Sequence, residues 1–368
     1  MGAEVKALVQ RQAARYWLAF RYAVHRRKPR LTARIASTSL RVFVLRRPLL
    51  RYVDFSIDFA CNLKCAHCFN ESLRGSANGR ELLTPGDYGR IATQCRALGA
   101  VAFSFQGGEA TLDMDRLESI LRAVDPWSAL ISVTTNGTLL THDNLVRLRR
   151  AGVDILTVSL DSGHAEEHDR FRGKDGTFEL ALAGIDRALS MGLHVTIGTT
   201  VSHQNVRSAG LHKLFDLARQ RRCLLVLALA VPAGRWKAND DILLTAEDLR
   251  LVDSYCARDP LIKTDLEGNY LRRGCGAAKE ILYVTPYGDV FACPFLHVSF
   301  GQVPQESVEE IRRRALGSPY LAGYWPRCLV AAEPAFIQHV MRQIREAGHQ
   351  PLSHRDVRWG EPGKDRAG

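Results

Sequence analysis

The sequence predicts an α/β protein built from six parallel βα units, with a basic helical extension before them and a small β-hairpin unit after them. Three observations predict it. Over residues 51–235, short β-branched and aromatic runs alternate with longer helical patterns. That rhythm stops at "VPAGRW" (231–236), and "ILYVTPYGDVFACP" (281–294) then reads as two short strands about a turn at Pro286–Gly288. Charge divides the chain at the same border. Residues 1–51 hold 13 Lys or Arg against the single acid Glu4, whereas the remaining 37 basic and 38 acidic residues nearly cancel.

In chain order, residues 4–26 and 31–47 read as helices that mix Arg with large apolar residues, as in "RYWLAFRYAVHRRK", punctuated by Pro29 and Pro48. The six strands are expected in "YVDFSIDF", "VAFSFQ", "ALISVTT", "DILTVSL", "LHVTIGTTV" and "LLVLALAV". Helices separate them, including Thr84–Leu98, with Thr84 as N-cap and Pro85 at the first helical position, and Thr177–Met191. Strands alternating with helices imply parallel pairing through right-handed crossovers. A connector helix is expected over Thr245–Cys256. The expected organisation is an extension (1–50), a core (51–235), a connector (236–268), a hairpin module (269–335), and a C-terminal helix with a mobile tail (336–368).

Several classes are disfavoured. No run of 18 apolar residues exists, and the N-terminus lacks a secretion signal, which predicts a cytoplasmic protein. Nine cysteines spread through such a chain point to metal or redox chemistry rather than disulfides. The basic character belongs to the extension and not to the catalytic body, so nucleic acid is not an expected partner. The extension carries Trp17, Phe20, Tyr22 and Phe43 among its arginines. It either rests peripherally on an anionic membrane or packs across the barrel with its arginines in water.

The chemistry is concentrated in "CNLKCAHCFN" (61–70), where Cys61, Cys65 and Cys68 stand at C-x3-C-x2-C spacing. Four thiolates would close a zinc or iron–sulfur site. Three hold a four-iron cluster and leave one iron open to a substrate or cofactor. Two alternatives are three unrelated core thiols and a zinc site completed by His67. The trio follows the first strand directly, and in α/β barrels chemistry gathers at the C-terminal ends of strands.

At this point the sequence resembles the radical SAM superfamily. Cys61, Cys65 and Cys68 match its cysteine motif, with His67 in the position usually held by an aromatic residue. "QGGEA" (106–110) resembles the segment that holds the methionyl amino group of SAM, through Gly107, Gly108 and Glu109, with Ala110 where proline is usual. "TTNGT" (134–138) resembles the family's threonine–asparagine–glycine element and includes Asn136. "SLDSG" (159–163) resembles the fourth-strand motif, in which Ser159 would face SAM. "HDRFRGKDGTF" (168–178) resembles the segment whose arginine, here Arg172, pairs the SAM carboxylate. The resemblance covers 51–235. It implies a partial (β/α)6 TIM-like barrel, a 4Fe–4S cluster bound with S-adenosyl-L-methionine, and reductive cleavage to a 5′-deoxyadenosyl radical. A reductase such as flavodoxin or ferredoxin is implied as electron donor.

Cys275-x12-Gly288-x4-Cys293-Pro294 resembles the start of the family's C-terminal SPASM module. With only Cys328 following, the shortened twitch type matches better and implies one auxiliary 4Fe–4S cluster. Its fourth ligand stays open among His297, Glu333, His339 and a substrate atom. The plain alternative is a hairpin with incidental cysteines. Of the remaining thiols, Cys95 reads as core, while Cys223 and Cys256 are possible hydrogen donors to a substrate radical. The expected substrate is a small natural product, sugar or lipid-linked molecule undergoing dehydrogenation, epimerisation or rearrangement. A precursor peptide is one alternative, and a non-catalytic iron–sulfur carrier another. Glu109, Ser159 and Arg172 discriminate against the carrier, which needs no SAM pocket.

Overall fold

The computed structural model describes residues 28–45, 49–77, 79–269 and 274–361. The six expected strands form, as β1 (Tyr52–Ser56), β2 (Ala102–Gln106), β3 (Leu130–Thr135), β4 (Ile155–Ser159), β5 (His194–Val201) and β6 (Leu224–Leu229). Each pairs in parallel with its sequence neighbour. Such sequential order is the outcome of βα units all winding the same way, and it rolls the sheet toward a barrel.

Residue alternation assigns the two faces. Val53, Phe55, Phe103, Phe105, Ile131, Val133, Leu156, Val158, Leu225 and Leu227 are buried in the main apolar core. Tyr52, Asp54, Ser104, Gln106, Ser132, Thr134, Thr157 and Ser159 line the interior instead. A period of two places these sets on opposite faces, so β1–β4 have an apolar outside under the helices and a polar inside.

The barrel helices begin as local chemistry dictates. Helix α2 (Pro85–Ala97) has Thr84 as N-cap with a reciprocal capping box to Asp87, and Pro85 opens it. Helix α6 (Thr177–Ser190) and helix α8 (Ala246–Arg258), the latter capped by Thr245 with Asp248, match the expected spans to within two residues.

The expected boundary between barrel and hairpin module is crossed by the sheet itself. Strand β7 (Ile262–Thr264) extends β6 in parallel. Strand β8 (Ile281–Val284) pairs in parallel with β1, and β9 (Val290–Phe291) then turns back antiparallel. One nine-stranded sheet therefore runs β7-β6-β5-β4-β3-β2-β1-β8-β9, so backbone hydrogen bonds fix the module to the barrel.

The expected helix 4–26 lies outside the described residues. The helix expected at 31–47 is shorter: α1 (Pro29–Ser39) gives way to a wider helical turn at Leu40–Val44. Its N-terminus is anchored by a buried ammonium. Lys28 is 2 % exposed and donates to Asp154 (2.5 Å) and to the carbonyls of Gly152 (2.8 Å) and Ala129 (3.2 Å). The tail expected to be mobile is instead held as far as residue 361. Strand β11 (Leu352–Ser353) pairs with β10 (Val298–Ser299), Leu352 and Val357 are buried, and Trp359 stacks on Phe300. Its apolar residues are sparse but each meets a module surface, which polar composition alone concealed.

Candidate active site

The loop from β1 carries the cysteine trio, and the loop after β2 lies against it. The Gly108 N–H donates to the Asp58 carbonyl (2.9 Å) and the Glu109 N–H to that of Ala60 (2.8 Å). A Cβ on Gly107 would stand 2.2 Å from the Asp58 oxygen, and one on Gly108 2.0 Å from that of Ala60. The close backbone approach therefore requires this glycine pair. Glu109 is buried, and its carboxylate accepts from Thr111 N–H (2.9 Å), Thr111 Oγ1 (2.5 Å), Thr135 Oγ1 (2.6 Å) and Asn136 N–H (2.7 Å). The Asn136 side chain in turn donates to Asn62, next to Cys61 (2.8 Å). In this state Glu109 and Asn136 tie three strand-end loops together, and neither lines the cavity described below.

Cys65 is buried, with Cys61 and Cys68 partly so. The Leu63 N–H donates to Cys61 Sγ (3.4 Å) and Arg172 Nη1 to Cys65 Sγ (3.6 Å). Burial pushes the Cys61 and Cys68 thiols up, and the neighbouring thiols push each further. Such a set is poorly suited to bare thiolates and well suited to a cationic iron centre, which deprotonates its thiol ligands. Among the described residues no three His, Cys, Asp or Glu converge tightly enough for a single metal ion.

Beside the trio stands a charged pair. Arg172, 6 % exposed, ends helix α5 (Ala165–Arg172) and meets Asp161 Oδ2 at 2.6 Å. Burial works against both charges, but Asp161 with Cys65 holds Arg172 up, and Arg172 with His67, His168 and the Thr200 N–H holds Asp161 down. The Thr200 N–H also donates to Asp161 (3.1 Å). His67 stacks on Phe171 (4.7 Å between ring centres) and lies near Trp236. Burial pushes both His67 and His168 down to about 4, so each is neutral at physiological pH. Arg172 Nε, His67 Nδ1 and Thr199 Oγ1 are buried without a hydrogen-bond partner. Orphaned polar atoms at one site are costly unless a bound group satisfies them. The donors, the neutral ring and the thiol trio fit a cluster with a polar, carboxylate-bearing cofactor. Asp161 was legible inside "SLDSG" but was not singled out from sequence.

A cavity of about 450 Å³ fills the barrel interior. His67, Ser159, Asp161 and Arg172 line one part of it, while Cys275, Cys293 and Cys328 line another. Between them stand the polar inner-face residues. Tyr52 donates to Asp54 (2.7 Å), and burial pushes the Asp54 carboxyl up to about 6. Tyr52 and Asp54 were missed in the sequence, although the alternating polar positions of the strands carried the signal.

Cys275, Cys293 and Cys328 line one cavity. Gly288, at φ 90°, closes the turn between β8 and β9, where a Cβ would meet the Val303 oxygen at 2.1 Å. Cys275 is held by its N–H to the Trp325 carbonyl (2.7 Å), three residues before Cys328. Burial pushes Cys293 up to about 12 and raises Cys328, with the neighbouring thiols adding to both. Three thiols on one wall, Cys275 and Cys328 buried and Cys293 partly so, fit a second cluster. The other expected ligands lie elsewhere. His297 bonds Gln350 (2.7 Å), His339 is exposed beside Gly360, and neither these nor Glu333 line the cavity. Cys223 and Cys256 are also not brought to it. Cys223 is buried just before β6, at the strand end opposite the site, and Cys256 is buried on α8. Cys95 is core, as expected.

Comparison with known proteins agrees with this geometry. The family model described as the radical SAM superfamily matches residues 56–211. The AdoMet-dependent heme synthase of Methanosarcina barkeri (strain Fusaro / DSM 804) is 28% identical over 293 residues, covering 72% of this chain and 82% of that protein. The antilisterial bacteriocin subtilosin biosynthesis protein AlbA of Bacillus subtilis (strain 168) is 26% identical over 313 residues, covering 80% and 65%. The crystal structure of Streptococcus suis SuiB bound to precursor peptide SuiA shares the fold, with a TM-score of 0.61 at 15% identity over 79% of this chain and 70% of that one. The family binds a 4Fe–4S cluster and SAM, and its SPASM relatives carry auxiliary clusters. The chain is an enzyme with a radical SAM domain over residues 56–211, and its relatives include radical SAM enzymes of the SPASM/twitch type.

Proposed function

We propose that this radical SAM enzyme abstracts hydrogen from a small polar molecule seated inside the barrel, and that the product is oxidised, epimerised or rearranged. The observation that carries this reading is the single cavity bounded by the SAM-side residues and by three auxiliary thiols. Cys61, Cys65 and Cys68 would hold the first cluster, and Cys275, Cys293 and Cys328 the second. When bound, the first cluster and SAM supply the one-electron cleavage that yields a 5′-deoxyadenosyl radical. The chain's residues do the rest. The guanidinium of Arg172, oriented by Asp161, would receive the SAM carboxylate, with Ser159 and the His67 ring on the same stretch of cavity wall. The glycine pair lets backbone carbonyls approach the cofactor's amino group, while Glu109 keeps that loop in place. Tyr52, Asp54, Ser104 and Gln106 offer donors and acceptors for a substrate with hydroxyl, amide or carboxyl groups.

A peptide substrate is the second reading. It is supported by the subtilosin protein and by the SuiB complex with its precursor peptide. Peripheral contact with an anionic membrane is compatible with either reading, since Leu40, Val44 and Leu45 are exposed beside the basic extension. Among the described residues no helix is long and apolar enough to cross a membrane.

The test is deuterium transfer. Reconstituted enzyme, SAM and a reductant such as reduced flavodoxin are incubated without oxygen with extract from cells grown in heavy water. The dialysable small-molecule fraction is expected to deliver deuterium into 5′-deoxyadenosine, read by mass spectrometry. Delivery by the retained peptide and protein fraction alone would refute the small-molecule reading in favour of the second.

A further inference from the structure

We propose that Asp265 is the fourth protein ligand of the auxiliary cluster. This rests on the reading that Cys275, Cys293 and Cys328 hold that cluster, and it names the group on the remaining iron. Asp265 is the first residue after β7, at the start of a short turn over Asp265–Gly268. It lines the same cavity as the three thiols. Its side chain is exposed, yet the surrounding protein desolvates it, because the space it faces is the barrel interior. It lies within electrostatic reach of both Cys293 and Cys328.

The other carboxylates that line the cavity are engaged. Asp54 is held by Tyr52 and Ser104, while Asp161 is held by Arg172 beside the first cysteine trio. His297, Glu333 and His339 do not reach the cavity. The Asp265 carboxylate has no side-chain donor or ion-pair partner among the described residues, only the backbone N–H groups of its own turn. A carboxylate desolvated by the cavity walls is costly as an anion, and an iron beside it removes that cost. Iron accepts carboxylate as well as thiolate donors. Ligation is a substitution, in which one Asp265 oxygen replaces a water on iron without redox change. The strand addition of β7 to β6 carries this residue to the module, so barrel and module would each supply ligands to one cluster.

The test uses the full-length chain with Cys61→Ala, Cys65→Ala and Cys68→Ala, reconstituted anaerobically and labelled with ¹³C in its aspartate carboxyl groups. This background is expected to hold about four irons. Electron–nuclear double resonance of the reduced cluster is expected to show a ¹³C coupling that disappears in Asp265→Ala. Asp265→Cys is expected to load equally, lose the coupling and shift the electron paramagnetic resonance spectrum. Iron near zero in the background would overturn the three-cysteine reading itself. A loaded cluster without ¹³C coupling, or with coupling that survives Asp265→Ala, would overturn only the ligand. If Asp265→Ala fails to load, an Asp265→Cys spectrum identical to the parent's also overturns it.

Discussion

Arg172 and Asp161 form a buried pair beside the cluster thiols, so the guanidinium is fixed before any cofactor arrives. Lysine offers a point charge where the planar fork spans Asp161 and Cys65. Arg172→Lys is expected to weaken SAM binding about tenfold, roughly 1.4 kcal/mol, measured by equilibrium titration of the reconstituted protein. An unchanged affinity in Arg172→Ala would remove the carboxylate assignment. Asp54 supports a second prediction. Its folded pKa of about 6 lies above its ordinary 3.8, so the folded chain holds this proton more tightly than the unfolded one. Its contribution to stability is then fully present below the ordinary value and falls as pH rises toward 6. Asp54→Asn is expected to be more stable than the parent near neutral pH by on the order of 2 kcal/mol. Denaturant titrations across this range read it, and a parent whose stability does not fall between pH 4 and 6 contradicts it. At this scale the cysteines, the glycine pair and Arg172 were legible because their spacing is informative in itself. Asp265 and Asp54 were not, because a carboxylate acquires its role from the walls around it.

Elements start and stop where short-range chemistry directs them. Thr84 and Thr245 each exchange hydrogen bonds with the acid three residues on. Replacing either by Ala is expected to cost about 1 kcal/mol, seen as a lowered unfolding midpoint. Such signals made the strands and these helices readable in the sequence to within three residues. Long-range contacts were not readable. Nothing in "IKT" or "LS" announces a strand, and β7 and β11 form because a neighbouring strand offers free backbone groups. Lys28 is the sharpest case. In sequence it is one more cation in a basic extension, yet in the fold it is buried against Asp154 and two carbonyls where α1 meets the barrel. Removing one partner of a buried pair leaves the other uncompensated, so Lys28→Met is expected to destabilise the fold by about 3 kcal/mol. A loss below a few tenths would show that the extension is not anchored there.

At the scale of the whole molecule, one nine-stranded sheet brings the residues beside the first thiol trio and the second trio itself to a shared interior. The alternation of apolar outside and polar inside produces both the core that holds the helices and the wall that meets the substrate. Pairing of β8 with β1 brings the second set of thiols to the same cavity as the SAM-side residues. The order of motifs along the chain made the first site legible. The convergence of the two sites was not, because it depends on parallel pairing between strands more than two hundred residues apart in sequence. The most direct measurement compares 5′-deoxyadenosine formation and iron content in the parent and in the Cys61→Ala, Cys65→Ala, Cys68→Ala variant, both reconstituted without oxygen and given SAM and dithionite. The parent is expected to cleave SAM and to hold about eight irons. The variant is expected to lose cleavage entirely while keeping about half of the iron. Undiminished 5′-deoxyadenosine from the variant would contradict the account.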